Sequence, residues 1–115
     1  MEKKNEFMFL FRFEPSNDYQ PTETEMTEQH QAWGAFIGGI AIQERLVSTH
    51  QLGFSGKQIF ADGSIAEGIN VLANQTLGGN MVVRANDLDH AAEMAKGCPI
   101  LQMGGTVEVR DVIPM

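Results

Sequence analysis

His30, Trp33 and Arg12 are the side chains whose type and setting could do chemistry. His30 stands four residues after Met26 and three before Trp33, a spacing that puts all three on the apolar stripe of one helix. A histidine there has two readings. It is a core residue whose ring nitrogens find backbone or water partners. Or it is a general acid or base, since its ordinary pKa lies near neutrality and a nearby carboxylate can set its tautomer. Trp33 is either core or the wall that keeps a ligand cleft dry. Arg12 ends the otherwise apolar second face of a strand. Its planar fork suits a substrate carboxylate, and it equally suits a cross-strand or cross-dimer pair with an acid such as Glu108. Arg84, Glu108 and Arg110 read as charges of a sheet surface or interface.

Other chemistries lack a local signature. His30, His50 and His90 are widely separated, and neither Cys-x-x-Cys nor His-x-x-x-His occurs, so no metal site is expected. The glycines form neither G-x-G-x-x-G nor a P-loop, which leaves nucleotide phosphates without a cradle, and no cofactor is expected. Cys98 precedes Pro99 at a helix end, where packing is the default role for a thiol. The methionines are scattered and read as core filler.

The element that must position His30 is a long amphipathic helix over 22–46, TETEMTEQHQAWGAFIGGIAIQERL. Thr22 and Glu25 form a capping-box pattern at its start. Its stripe is Met26, Trp33, Ile37 and Ile40. Gly38 and Gly39 inside it cost about 1 kcal/mol each relative to Ala, which points to another backbone packed close by. Before it, Glu6–Phe13 alternates Phe7, Phe9, Phe11 and Phe13 against Met8, Leu10 and Arg12. Two largely apolar faces predict a strand covered on both sides and central in its sheet. The loop Glu14–Pro21 is rich in turn formers. After the helix come a strand over Val47–Phe54 and a hairpin (Gly56–Phe60, Ser64–Ile65) with Asp62-Gly63 at its tip. Glu67–Leu77 reads as irregular and Gly79–Ala85 as a strand. A second helix is capped by Asn86 and stopped at Gly97-Cys98-Pro99. After a turn at Gly104-Gly105 the last strand runs Thr106–Ile113.

This order predicts an α+β fold: a ferredoxin-like β-α-β-β-α-β unit with an extra hairpin, both helices on one face of an antiparallel sheet. The uncovered face still carries apolar side chains, so a homodimer, sheet against sheet, is expected. A chain of 115 residues is one domain, taken here as 1–115. A net charge of −7 repels phosphate backbones and anionic membranes, so neither nucleic acid nor membrane is an expected partner. No run is apolar enough to span a bilayer, and the start lacks the pattern of a signal peptide. The single cysteine forms no internal disulfide, which suits the cytoplasm.

Several stretches resemble the YCII-related family in its Asp-Gly-Pro-Phe (DGPF) subgroup: FMFLFR, HQAWGAFIGGIA, LGFSGK, LGGNMVVRANDLDHAAEMAKGCPI and GGTVEVRDVIPM. The resemblance implies a ferredoxin-like domain that dimerises as an α+β barrel. It also implies a cleft with a proposed His–Asp pair, a proposal resting partly on likeness to muconolactone isomerases. Some relatives are encoded with, or fused to, sigma-factor-like transcription proteins. The signature itself is degenerate here. Counted back without gaps from Leu77-Gly78-Gly79 it falls on Glu67-Gly68-Ile69-Asn70, and the Lys-Glu that follows it in the family falls on Asn74-Gln75. A rival register on Asp62-Gly63-Ser64-Ile65 needs an insertion of about five residues. In the gap-free register the family's acid is Glu67.

Two functions from different classes follow. In one, a cytoplasmic homodimer binds a small organic acid in a cleft between the long helix and the sheet. His30, helped by Glu67, moves a proton in isomerase-like or lyase-like chemistry, and Trp33 and Arg12 hold the substrate. In the other, the same cleft binds without turnover, and the protein is a ligand-binding or transcription-associated regulatory module. Whether the protein is an enzyme is left open by the residues themselves.

Overall fold

A run of alternate phenylalanines sets the architecture. The computed structural model describes residues 5–15 and 22–113. In chain order its elements are β1 (Asn5–Phe13), α1 (Glu23–Ile42), β2 (Leu46–Gln51), β3 (Lys57–Ile59), β4 (Ile65–Glu67), β5 (Thr76–Ala85), α2 (Leu88–Ala95), a 3-10 turn (Pro99–Met103) and β6 (Thr106–Asp111). Of the expected loop Glu14–Pro21, residues 16–21 lie outside the described residues.

In β1, Phe7, Phe9 and Phe11 are at most 4% exposed, while Met8, Leu10 and Arg12 between them are half-buried. The sheet order is β2-β5-β1-β6, so β1 is central, as its two apolar faces predict. Its neighbours on both sides run antiparallel to it, with Phe9 opposite Met81 and Val109. The result is a mixed α+β fold with an antiparallel sheet and two helices. Phe7, Phe9, Phe11, Met81 and Val83 meet Ile40 of α1, Ala91 and Ala95 of α2, and Cys98 and Ile100 beyond it in one core. That core occupies one face of the sheet. β3 and β4 form a separate two-stranded hairpin. Its tip is the expected Asp-Gly: Gly63 has φ 88°, and the Ser64 N–H and hydroxyl both donate to Asp62 Oδ1. Those two bonds hold the Asp62 carboxyl below its ordinary value.

The long helix starts where predicted and ends early. Glu25 N–H donates to Thr22 Oγ1 at 3.1 Å and Thr22 N–H donates to Glu25 Oε1 at 3.3 Å, a complete capping box. At the other end Glu44 N–H donates to Ala41 O and Arg45 N–H to Ile40 O. That pair of bonds is a Schellman motif, and it turns the chain through Glu44 at φ 60°. α1 therefore stops at Ile42 rather than Leu46, and Leu46 opens β2.

The predicted stripe also needs correction. Ile40 is buried and Trp33, Phe36 and Ile37 are half-buried, but Met26 is 45% exposed and His30 is exposed. The physical reason is where α1 lies. Its C-terminal half packs on the sheet, whereas its first half faces the 3-10 turn across a groove of about 210 Å³ lined by Glu25, Gln29, Pro99 and Met103. Nor does a backbone press on Gly38 or Gly39: a Cβ at either would meet no described atom within 4 Å. α2 is capped by Asp87 rather than Asn86, since Asp87 Oδ1 accepts from His90 N–H at 2.7 Å. Asn86 N–H donates to His90 Nδ1 instead. The expected last strand, Thr106–Ile113, ends at Asp111.

Candidate functional site

Arg12 sits where β1 loosens. The register between β1 and β5 slips between Phe11 and Arg12, which brings Arg12 opposite Leu77. Gly105 fixes the approach from the other side. A Cβ there would stand 2.5 Å from Arg12 O and 2.6 Å from the Ile100 side chain, so only glycine lets β6 begin so close to β1. The guanidinium donates from Nη1 to Glu108 Oε1 at 2.6 Å. Glu108 Oε2 is in turn 3.9 Å from Arg110 Nε. The cross-strand pair read from the sequence is present.

Beside this arginine the chain between β2 and β5 folds back over an open cavity of about 650 Å³. Leu52, Ile69, Leu72 and Leu77 give it apolar walls, and Arg12, Lys57, Gln58, Asn70 and Gln75 give it polar ones. The segment is pinned at three places. Phe54 packs edge-on against Phe13 with ring centroids 5.9 Å apart. The Phe13 ring lies over Gly78, where a Cβ would overlap it, and a Cβ at Gly79 would stand 2.7 Å from His50 O, so neither glycine has room for a side chain. The buried Thr76 hydroxyl donates to Asn70 O at 2.7 Å. Between those anchors a tight turn bridged by Leu72 and Gln75 carries Ala73 at φ 53° and Asn74 at φ 63°. This is the two-residue type I′ geometry, which Asn74 adopts readily and Ala73 at a cost of about 1–2 kcal/mol.

The other predicted site residues lie elsewhere. Trp33 packs edge-on against Phe11 and Phe36 at 5.3 and 6.1 Å, so it belongs to the flank of the core. With Phe36 and Ile37 it fills the space where a cleft between α1 and the sheet was expected. His30 projects from the exposed part of α1. Glu67 ends β4 with its side chain 79% exposed and its carboxylate 3.2 Å from Lys57 Nζ. Among the described residues, no hydrogen bond or ion pair joins His30 to Glu67. Reading the sequence as irregular over Glu67–Leu77 missed Asn70, Leu72 and Gln75 as cavity walls. The available signal was the density of amide and turn-forming residues just before a strand.

The remaining chemistry is quiet. Burial pushes the Cys98 thiol up to about 11, so it stays protonated and packs as a small apolar group. Among the described residues there is no group of three His, Cys, Asp or Glu side chains that could hold a metal ion. Among the same residues, no helix is long and apolar enough to cross a membrane. The family model for the YCII-related domain matches residues 6–115. No curated protein matches the chain significantly.

Proposed function

The chain belongs to the YCII-related family, and on that premise we propose that it is a homodimeric small-molecule-binding protein. Its ligand is a small organic acid, taken up in the cavity between the 52–77 segment and the end of the sheet. The observation that carries this reading is that two cations, Arg12 and Lys57, stand with Leu52, Ile69, Leu72 and Leu77 on the wall of this cavity, and that no carboxylate is among the described residues lining it. A ligand pocket of a few hundred Å³ with apolar walls and a few polar or charged orienting groups is the usual form of such a site. Binding is favoured over turnover because no His, Asp, Glu or Cys is among the described residues lining the cavity. Lys57 is the one side chain among the described lining residues that could move a proton, and its ion pair with Glu67 occupies it in this structure.

With the hairpin left out, the order β2-β5-β1-β6 supports a ferredoxin-like reading of the sheet, and the dimer we propose is an α+β barrel closed by two open faces. Two facts support that closure. Met8, Leu10 and Val82 are half-buried on the face no helix covers. The protomer is also a flat body of 45 × 45 × 19 Å, with a radius of gyration of 15.9 Å. A compact chain of this length would have about 13 Å. Within the family we place the chain in the DGPF subgroup on Leu77-Gly78-Gly79, with Glu67 in the place of the signature's acid. The cytoplasm is the compartment that suits its lone thiol.

Thermal unfolding in the presence of small carboxylates tests the binding site. Benzoate raises the melting temperature of the wild type, since a ligand that binds only the folded state stabilises it. Arg12→Gln abolishes the rise, and His30→Ala leaves it intact. Loss of the rise in His30→Ala with retention in Arg12→Gln would refute the cavity and restore His30 as the centre of the site.

A further inference from the structure

We propose that Glu108 is a built-in competitor for the ligand's carboxylate, and that Arg110 receives it when the ligand arrives. The inference rests on the organic-acid reading of the cavity. Arg12 already holds a carboxylate, donated by the neighbouring strand, through one short Nη1–Oε1 bond. The register explains the placement. Leu10 is opposite Glu108 and Arg12 opposite Thr106, so Arg12 and Glu108 are diagonal neighbours on the uncovered face of the sheet. Arg110, two residues along β6, points from that same face and is opposite Met8. Glu108 thus stands between two guanidinium groups, tight against Arg12 at 2.6 Å and loose against Arg110 at 3.9 Å.

That asymmetry gives the exchange somewhere to go. A planar guanidinium binds a carboxylate best through two parallel N–H bonds, and Glu108 uses one. A ligand carboxylate that takes the fork displaces an anion that then closes on Arg110, so charges alternate along ligand, Arg12, Glu108 and Arg110. No charge is left without a partner. In the protomer the three side chains are 38–68% exposed, and on the rim of the proposed interface they keep contact with water, so the competition is between two similar ion pairs. The bound state differs from the free state by which arginine Glu108 serves.

The sign of a single substitution tests this. If Glu108 merely holds Arg12 in position, Glu108→Gln weakens ligand binding. If Glu108 competes, Glu108→Gln tightens benzoate binding by roughly two- to five-fold, the scale expected for removing one exposed charge a few ångströms away. Arg110→Gln, which removes the alternative partner, weakens benzoate binding by roughly two- to three-fold on the same scale. Titration calorimetry with benzoate reads both, and benzamide, which lacks the charge, shows neither change. Weaker or unchanged benzoate binding in Glu108→Gln, against a wild type that binds, overturns the competition and leaves the cavity reading standing. Benzoate binding by neither protein overturns the organic-acid reading and this inference with it.

Discussion

The two faces of the sheet are made from the same strands and have opposite fates. On the helix face Phe7, Phe9, Phe11, Met81 and Val83 are almost wholly buried, and among the described residues no charged side chain is buried with them. On the other face Met8, Leu10 and Val82 are framed by ion pairs: Glu6 with Arg84, and Glu108 with Arg12 and Arg110. The first face is a core, which tolerates only apolar groups because nothing there can pair a charge. The second is an apolar centre with a charged rim, the composition of a surface that meets a partner. It also carries the arginine of the proposed site. One face buries its apolar side chains within the protomer, and the other is the face on which we propose recognition.

The contrast is sharpest where the helix face is hollowed. Phe9→Ala on that face costs about 3–5 kcal/mol of folding stability, measured by chemical denaturation, because a large buried ring leaves a cavity behind. A cost below about 1 kcal/mol would erase the distinction between the faces. A smaller effect on the same side comes from pH. Folding raises the Cys98 thiol from its ordinary value of 9.0 to about 11, so its contribution is fully present below pH 9 and lost as the pH rises to about 11. Wild-type stability should fall across that window relative to Cys98→Ala, and parallel pH profiles for the two proteins would mean the thiol is not dry. The smallest effect on the fold belongs to the uncovered face. Leu10→Glu changes protomer stability by less than about 1 kcal/mol, as for a surface position, yet converts the dimer to monomer in sedimentation equilibrium. A wild type that already sediments as a monomer would remove the barrel from the proposal.

Much of the fold was legible because the rules that govern it are local. Thr22 and Glu25 sit three residues apart, and no distant part of the chain is needed for them to cap a helix. Asp62-Gly63 makes its own turn. The double apolar face of β1 announces a central strand wherever that strand ends up. What was misread depended on packing. The period that puts His30 beside Trp33 is correct as helical geometry, but it cannot say how far the sheet extends beneath α1. The helix overran in prediction because Glu44 in the left-handed region carries no sequence mark of the kind a glycine would. Arg12 was singled out for its chemistry, and Glu108 for its charge. Their meeting at a cavity needed the β1–β6 register.

The sequence by itself determined the elements, their order and the central place of β1, since hydrogen-bonded caps, turns and side-chain alternation act between residues a few positions apart. Only the tertiary structure decided which face became core, where α1 ceased to be covered, and that the cavity formed beside Arg12 rather than His30. Those outcomes depend on how far rigid elements reach over one another, a matter of lengths and crossing positions in space. The same sheet that buries Phe9 therefore holds the Arg12–Glu108 pair on its other, exposed face.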